Sequence, residues 1–130
     1  MISLNQIRAY RKTQVTTSEP VELVRLLVDG ALRYTCQAQE SIRAGRVKEK
    51  ALELSKAGQI VSELMNCLDF RRGGEIALNL ESLYVFVLQK ITDANITNNA
   101  SHLDGVVKVL SDLSAAWTTV ASGGAAQAAC

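Results

Sequence analysis

The side chains best able to do chemistry are few and scattered. His102 is the only histidine, and its place in the first turn of a predicted helix suits a solvated or capping role better than general-base work, which needs a partner within hydrogen-bond reach. Glu75, Glu81 and Asp93 do not share one face, and no ExxH pair accompanies them, so the carboxylate-rich metal centre of a helical bundle is not expected. Cys36, Cys67 and Cys130 make an odd set without CxxC spacing, which argues against a zinc site and against a disulfide framework. The first two are expected as reduced, partly buried thiols inside helices. Gly73 and Gly74 precede a helix, yet no GxxxxGKS or GxGxxG surrounds them, and a plain turn is the simpler reading than a phosphate cradle. No catalytic residue, metal ligand or cofactor is expected, and the chain is not read as an enzyme.

What remains is apolar surface on helices. In GGEIALNLESLYVFVLQKITDANI, Gly73 to Ile96, the residues Ile76, Leu80, Leu83, Tyr84, Val87, Ile91 and Ala94 recur at three- and four-residue steps, which makes an ordinary core stripe. Leu78, Val85, Phe86 and Leu88 fall off that stripe. The helix therefore carries more apolar surface than one neighbour covers, and either a thick core, a second copy or a bound partner must take the surplus. Helical surfaces do accept amphipathic segments through anchors spaced i, i+3, i+4 and i+7.

The elements around this helix follow from the same patterning. Ser3 and Gln6 form a capping-box pattern for a short N-terminal helix, Ser3 to Lys12, whose Leu4, Ile7 and Tyr10 make an apolar edge. At about ten residues such a helix is marginal by itself and depends on what it packs against. QVTTSEP then reads as an extended linker, with Pro20 in the first turn of the next helix and Thr17, Ser18 or Glu19 as its cap. That helix runs to about Ala44, with a main stripe of Leu23, Leu26, Leu27, Gly30, Tyr34, Ala38 and Ile42, broadened by Val24, Val28 and Ala31. Gly45 supplies the stop. A helix from about Val47 to Phe70 has Ala51, Leu54, Gly58, Val61, Leu64, Met65 and Leu68 in phase, where Gly58 costs roughly 1 kcal/mol relative to alanine. Ser101 and Asp104 offer a capping box for the last helix, lined by Leu103, Val106, Val107, Leu110, Leu113, Trp117 and Val120. Residues 122–130, SGGAAQAAC, show no periodicity and are expected to be disordered.

Short connections between long amphipathic helices imply antiparallel neighbours. The expected fold is all-α, an antiparallel up-down four-helix bundle preceded by a short N-terminal helix, with residues 1–121 as one domain and 122–130 as a flexible tail. A chain of 130 residues buries enough surface for one core without disulfides or metals. The formal net charge of +1 provides no field to draw nucleic acid or anionic lipid, so neither is expected as a partner. The opening MISLNQIRAYRK has no apolar run of the secretion-signal type, and no window approaches a membrane span. The chain is expected to be cytoplasmic.

Five collinear blocks then resemble one family. AYRKTQVTTSEPVEL (Ala9 to Leu23), LLVDGALRY (Leu26 to Tyr34), KAGQIVSELMNCLD (Lys56 to Asp69), GGEIALNLESLYVFVLQKITDANI and LSDLSAAW (Leu110 to Trp117) are similar, in order, to the conserved segments of flagellar export chaperones of the FliS family. The resemblance implies a four-helix bundle with a short N-terminal helix. It further implies that the chain binds the disordered C-terminal segment of flagellin, holds the subunit back from premature polymerisation, and helps deliver it to the type III export apparatus. A component of the export gate and an anti-sigma factor are implied as further partners. Leu27, Val28, Tyr34, Leu80, Tyr84, Leu88 and Ile91 are the candidate contacts, with core packing the competing role for Leu27, Leu80, Tyr84 and Ile91. Ile7, Tyr10 and Val15 belong to a segment expected to cover the groove when flagellin is absent. The sequence departs from the family at Glu19, where a small residue usually precedes the proline, at Val28, where tyrosine is frequent, and at Val85 and Val87 in YVFV; the valines are expected to keep the surface apolar. The alternative is a self-associating structural or regulatory bundle, a homodimer whose apolar surplus is its interface.

Overall fold

The computed structural model describes residues 19–121 of the chain. Within them lie helices α1 (Val21–Arg43), α2 (Val47–Asn66) and α3 (Phe70–Thr97), a 3₁₀ turn at Ala100–Leu103, and α4 (Asp104–Ala121), with no β-strand among the described residues. The expected N-terminal helix, with Ile7, Tyr10 and Val15, and the tail 122–130 with Cys130 lie outside the described residues.

The helix ends have local causes. Pro20 sits at the N-cap of α1 rather than inside its first turn, with φ −58° and ψ 143° and no side-chain cap bond. At the other end of α1, Gly45 has φ +74°. Its N–H donates to the Ile42 carbonyl at 3.1 Å, and the Arg46 N–H donates to the Ser41 carbonyl at 2.8 Å, the paired bonds of a glycine-terminated helix. α2 stops at Asn66, four residues short of the expected end. The Asp69 side chain accepts from the Arg72 N–H and starts α3 there. Gly74, at φ 53° and ψ −127°, breaks that first turn from the long helix that follows, a conformation an L side chain rarely adopts. Asn99, not Ser101, caps the last segment: its Oδ1 accepts from both the N–H and the hydroxyl of Ser101. Asp104 is thereby left to accept from Gln39 Nε2 at 2.8 Å.

One core joins all four helices. α3 turns Ala77, Leu80, Tyr84, Val87, Ile91 and Ala94 inward, and α4 supplies Val106, Leu110, Leu113 and Trp117. In α1 the buried face is Val24, Val28, Ala31, Thr35 and Ala38, whereas Leu23 and Leu26 of the expected stripe are exposed. Both sets have helical spacing. The smaller residues win because α1 packs against α2 on one side and α4 on the other, so its middle line lies deepest and admits little volume. In α2 the expected stripe holds at Leu54, Val61 and Leu64, joined by Ala57, while Ala51 is exposed. The Gly30 backbone approaches α2 closely enough that an added Cβ would stand 3.4 Å from Ile60 Cδ1. Further along the same pair, Ser41 Oγ donates to Glu53 at 2.6 Å; as the α1 number rises, the α2 number falls. On the other side of α1, the Ser114 hydroxyl donates to Asp29. The indole N–H of Trp117 is buried without an acceptor among the described residues, a cost of roughly 1–3 kcal/mol that its ring burial must offset.

Candidate partner-binding surface

The α3 flank is built by a one-residue offset. Leu78, Val85 and Leu88 each follow an inward residue, Ala77, Tyr84 or Val87, and so stand 100° round the helix from the core line. Leu78 is 55% and Val85 49% exposed, and Ile96 extends the apolar flank at 73%. Leu88 is half-buried because it leans over α2. An added Cβ at Gly58 would meet nothing nearer than Leu88 Cδ2, at 3.9 Å. Gly58 is thus not forced by a clash. It leaves a shallow floor between an apolar wall on α3 and the small residues Ala51, Ser55 and Ser62, which share its face of α2 by helical spacing.

The candidate contact residues divide by depth. Val28, Leu80, Tyr84 and Ile91 are buried in the core, so their side chains offer a partner no surface. Leu27, Tyr34 and Leu88 are half-buried and packed on the edge of that core. The departures at Val28 and Val87 are core positions with no exposure, which corrects the expectation that they keep the surface apolar; of the three valines only Val85 reaches it. Burial pushes the Tyr84 phenol well above its ordinary pKa, with Cys67 adding to the effect, so the ring acts as a neutral packing element. Cys67 is buried, but Cys36 is exposed, a correction to the expected partial burial of Cys36. His102 is half-buried in the 3₁₀ turn. Glu75, Glu81 and Asp93 belong to no group of three or more potential metal ligands among the described residues.

Sequence reasoning missed three features. It placed Leu23 and Leu26 inside, although Val24, Val28, Ala31, Thr35 and Ala38 formed a second run at the same spacing. It passed over Phe70, which is exposed beside the α2–α3 link. It also left Lys50 without a role; that side chain is only 4% exposed, and its ammonium donates to the main-chain and side-chain oxygens of Asn95 at 3.0 and 2.9 Å. A cavity of about 230 Å³ lies near it, lined by Ser41, Ile42, Gly45, Arg46, Val47, Lys50 and Asn98, and no candidate contact residue lines it. No described helix is long and apolar enough to cross a membrane.

The described residues form an all-helical unit that exposes Leu78, Val85 and Ile96 along α3 and brings together no group of three or more potential metal ligands. The model of the family described as flagellar protein FliS matches residues 3–124. The chain belongs to the FliS family. The flagellar secretion chaperone FliS of Vibrio cholerae is 32% identical over 118 residues, covering 88% of this chain and 87% of that protein. The flagellar secretion chaperone FliSB of Pseudomonas aeruginosa is 31% identical, covering 90% and 96%, and FliS of Salmonella typhimurium is 32% identical, covering 92% and 93%. FliS proteins are secretion chaperones, not an enzyme family, and this chain is a FliS-family flagellar secretion chaperone with a helical-bundle fold.

Proposed function

We propose that this chain binds the disordered C-terminal segment of flagellin in the cytoplasm, keeps the subunit from polymerising, and accompanies it to the type III export apparatus. The observation that carries the reading is the exposed flank Leu78, Val85 and Ile96 beside the shallow Gly58 floor. A disordered segment gains order only where buried apolar area, at roughly 25 cal/mol per Å², offsets its lost freedom. An antiparallel up-down bundle lays α2 and α3 side by side as the two rails of such a site, with Leu27, Tyr34 and Leu88 at its edges. Ile7, Tyr10 and Val15, in the segment before Glu19, cover the site until flagellin displaces them. An export-gate component and an anti-sigma factor are the further partners of this reading.

The test is calorimetric titration with the C-terminal segment of flagellin from the same organism, against a scrambled peptide. Binding with a large negative heat-capacity change is expected, the mark of folding onto an apolar surface. No heat at several temperatures, together with an empty pull-down, sinks the proposal. If sedimentation then shows an obligate dimer at every concentration, the flank is the interface of a self-associating bundle instead.

A further inference from the structure

On the opposite side of α2 from the Gly58 floor, where α2 meets α1, two cations share one aromatic ring. Arg33 Cζ lies 5.3 Å and Lys56 Nζ 5.5 Å from the centre of the Tyr34 ring. Both cations are exposed and Tyr34 is half-buried. Each has a carboxylate about one turn away on its own helix, and each of those is engaged elsewhere. Asp29, four residues before Arg33, accepts from Arg25 Nη1 at 3.0 Å and from the Ser114 hydroxyl. Glu53, three residues before Lys56, accepts from Ser41 Oγ at 2.6 Å. The residues one turn further on, Gln37 on α1 and Gln59 and Ile60 on α2, are uncharged. Among the described residues the ion pairs are Arg25 with Glu22 and Asp29, and Lys108 with Asp112, so neither Arg33 nor Lys56 is ion-paired among them. Both cations carry positive charge beside one ring, and a carboxylate docked against that ring would be attracted by each. The neighbour of this pair narrows the choice of ligand. Leu26, seven residues before Arg33 and so on the same side of α1 roughly 10 Å away, is 53% exposed. An apolar step beside a cationic one fits a polypeptide with an acidic and an apolar residue about two turns apart, whereas a free small anion would leave Leu26 uncovered.

We propose that Arg33, Tyr34 and Lys56 form a platform that takes an Asp or Glu side chain of the bound flagellin segment, with Leu26 taking an apolar residue next to it. This rests on the flagellin reading and adds a second, electrostatic anchor on the α1–α2 seam, distinct from the apolar flank of α3.

The experiment titrates an amidated C-terminal flagellin segment, whose only carboxylates are on side chains, into the wild-type chain, the Arg33→Gln/Lys56→Gln variant and the charge-preserving Arg33→Lys/Lys56→Arg variant. Circular dichroism melts confirm that all three fold. At low salt the neutral variant is expected to bind roughly fivefold more weakly, since exposed charge pairs contribute little each, and the difference should vanish near about 0.5 M salt. The charge-preserving variant should stay close to wild type. Changing the peptide's Asp and Glu residues singly to Asn and Gln should single out one position whose loss weakens wild type but not the neutral variant. Equal affinity and equal salt dependence for wild type and neutral variant overturn the platform while leaving flagellin binding intact. Failure of the wild type to bind overturns the flagellin reading, and the platform with it.

Discussion

The outer edge of α1 and the outer flank of α3 both expose leucine-sized side chains, and they differ in what borders them. Leu23 and Leu26 lie beside Arg25, which is bonded to Glu22 and Asp29, and further along the same helix come Arg33 and Tyr34. The hydrogen bond from Arg25 also holds the Glu22 carboxyl below its ordinary pKa. Leu78 and Val85 are separated by Glu81 and Ser82, and beyond Val85 come Gln89 and Thr92. On the proposed reading the α3 flank would bind through area removed from water, and the α1 edge through charge. Salt strengthens effective apolar burial or leaves it unchanged but screens exposed charge, so ionic strength separates the two regions in one experiment.

The largest effect should come from removing the support of the α3 flank from behind. Tyr84→Ala empties a buried ring site and is expected to lower stability by about 3–5 kcal/mol, read by urea unfolding. Flagellin binding should fall with it, and an unchanged unfolding midpoint would mean that α3 is not held from its inner face. Next, Leu78→Ser with Val85→Ser should leave stability within about 0.5 kcal/mol per site, as for most surface changes. Flagellin affinity should fall at least about tenfold, near 1.4 kcal/mol, and equally at low and high salt. A loss that disappears with added salt would erase the distinction between the two regions. The smallest effect is expected at Gly58→Ala, where room exists for the methyl group. It should raise stability by up to about 1 kcal/mol through helix propensity, measured as a higher Tm. A lowered Tm would show that α2 and α3 meet more tightly than the Leu88 distance indicates.

The same contrast explains what was legible in the residues. On α3 the large side chains Leu80, Tyr84, Val87 and Ile91 point inward, so hydrophobicity and burial agree and the stripe could be read directly. On α1 they disagree. The deepest line is made of Val24, Val28, Ala31, Thr35 and Ala38, and weight by side-chain size favoured Leu23 and Leu26, which face out. Periodicity states which residues share a face, but not which of two faces has neighbours on both sides. Stops that depend on one residue's backbone freedom, such as Gly45, were readable. The start of the last helix was not, because Asn99 and Ser101 are both able caps and their competition is settled by local geometry. The resemblance to the FliS family, carried by collinear motifs, located the function more firmly than any face did. It named Val28, Leu80, Tyr84 and Ile91 alongside Leu88, and only depth in the folded chain separates these core residues from those at its edge.

Lys50 has a mechanical consequence. Its ammonium ties the start of α2 to the last turn of α3 through Asn95, where a cation also suits the negative end of the helix. At the far end the same two helices are joined by the short link 67–69. The pair is thus braced at both ends, like rails between two sleepers, and the gap that holds Gly58 has its gauge set before any partner arrives. If a flagellin segment docks there as proposed, the adjustment falls to that segment, and little of the binding free energy is lost to reshaping this side.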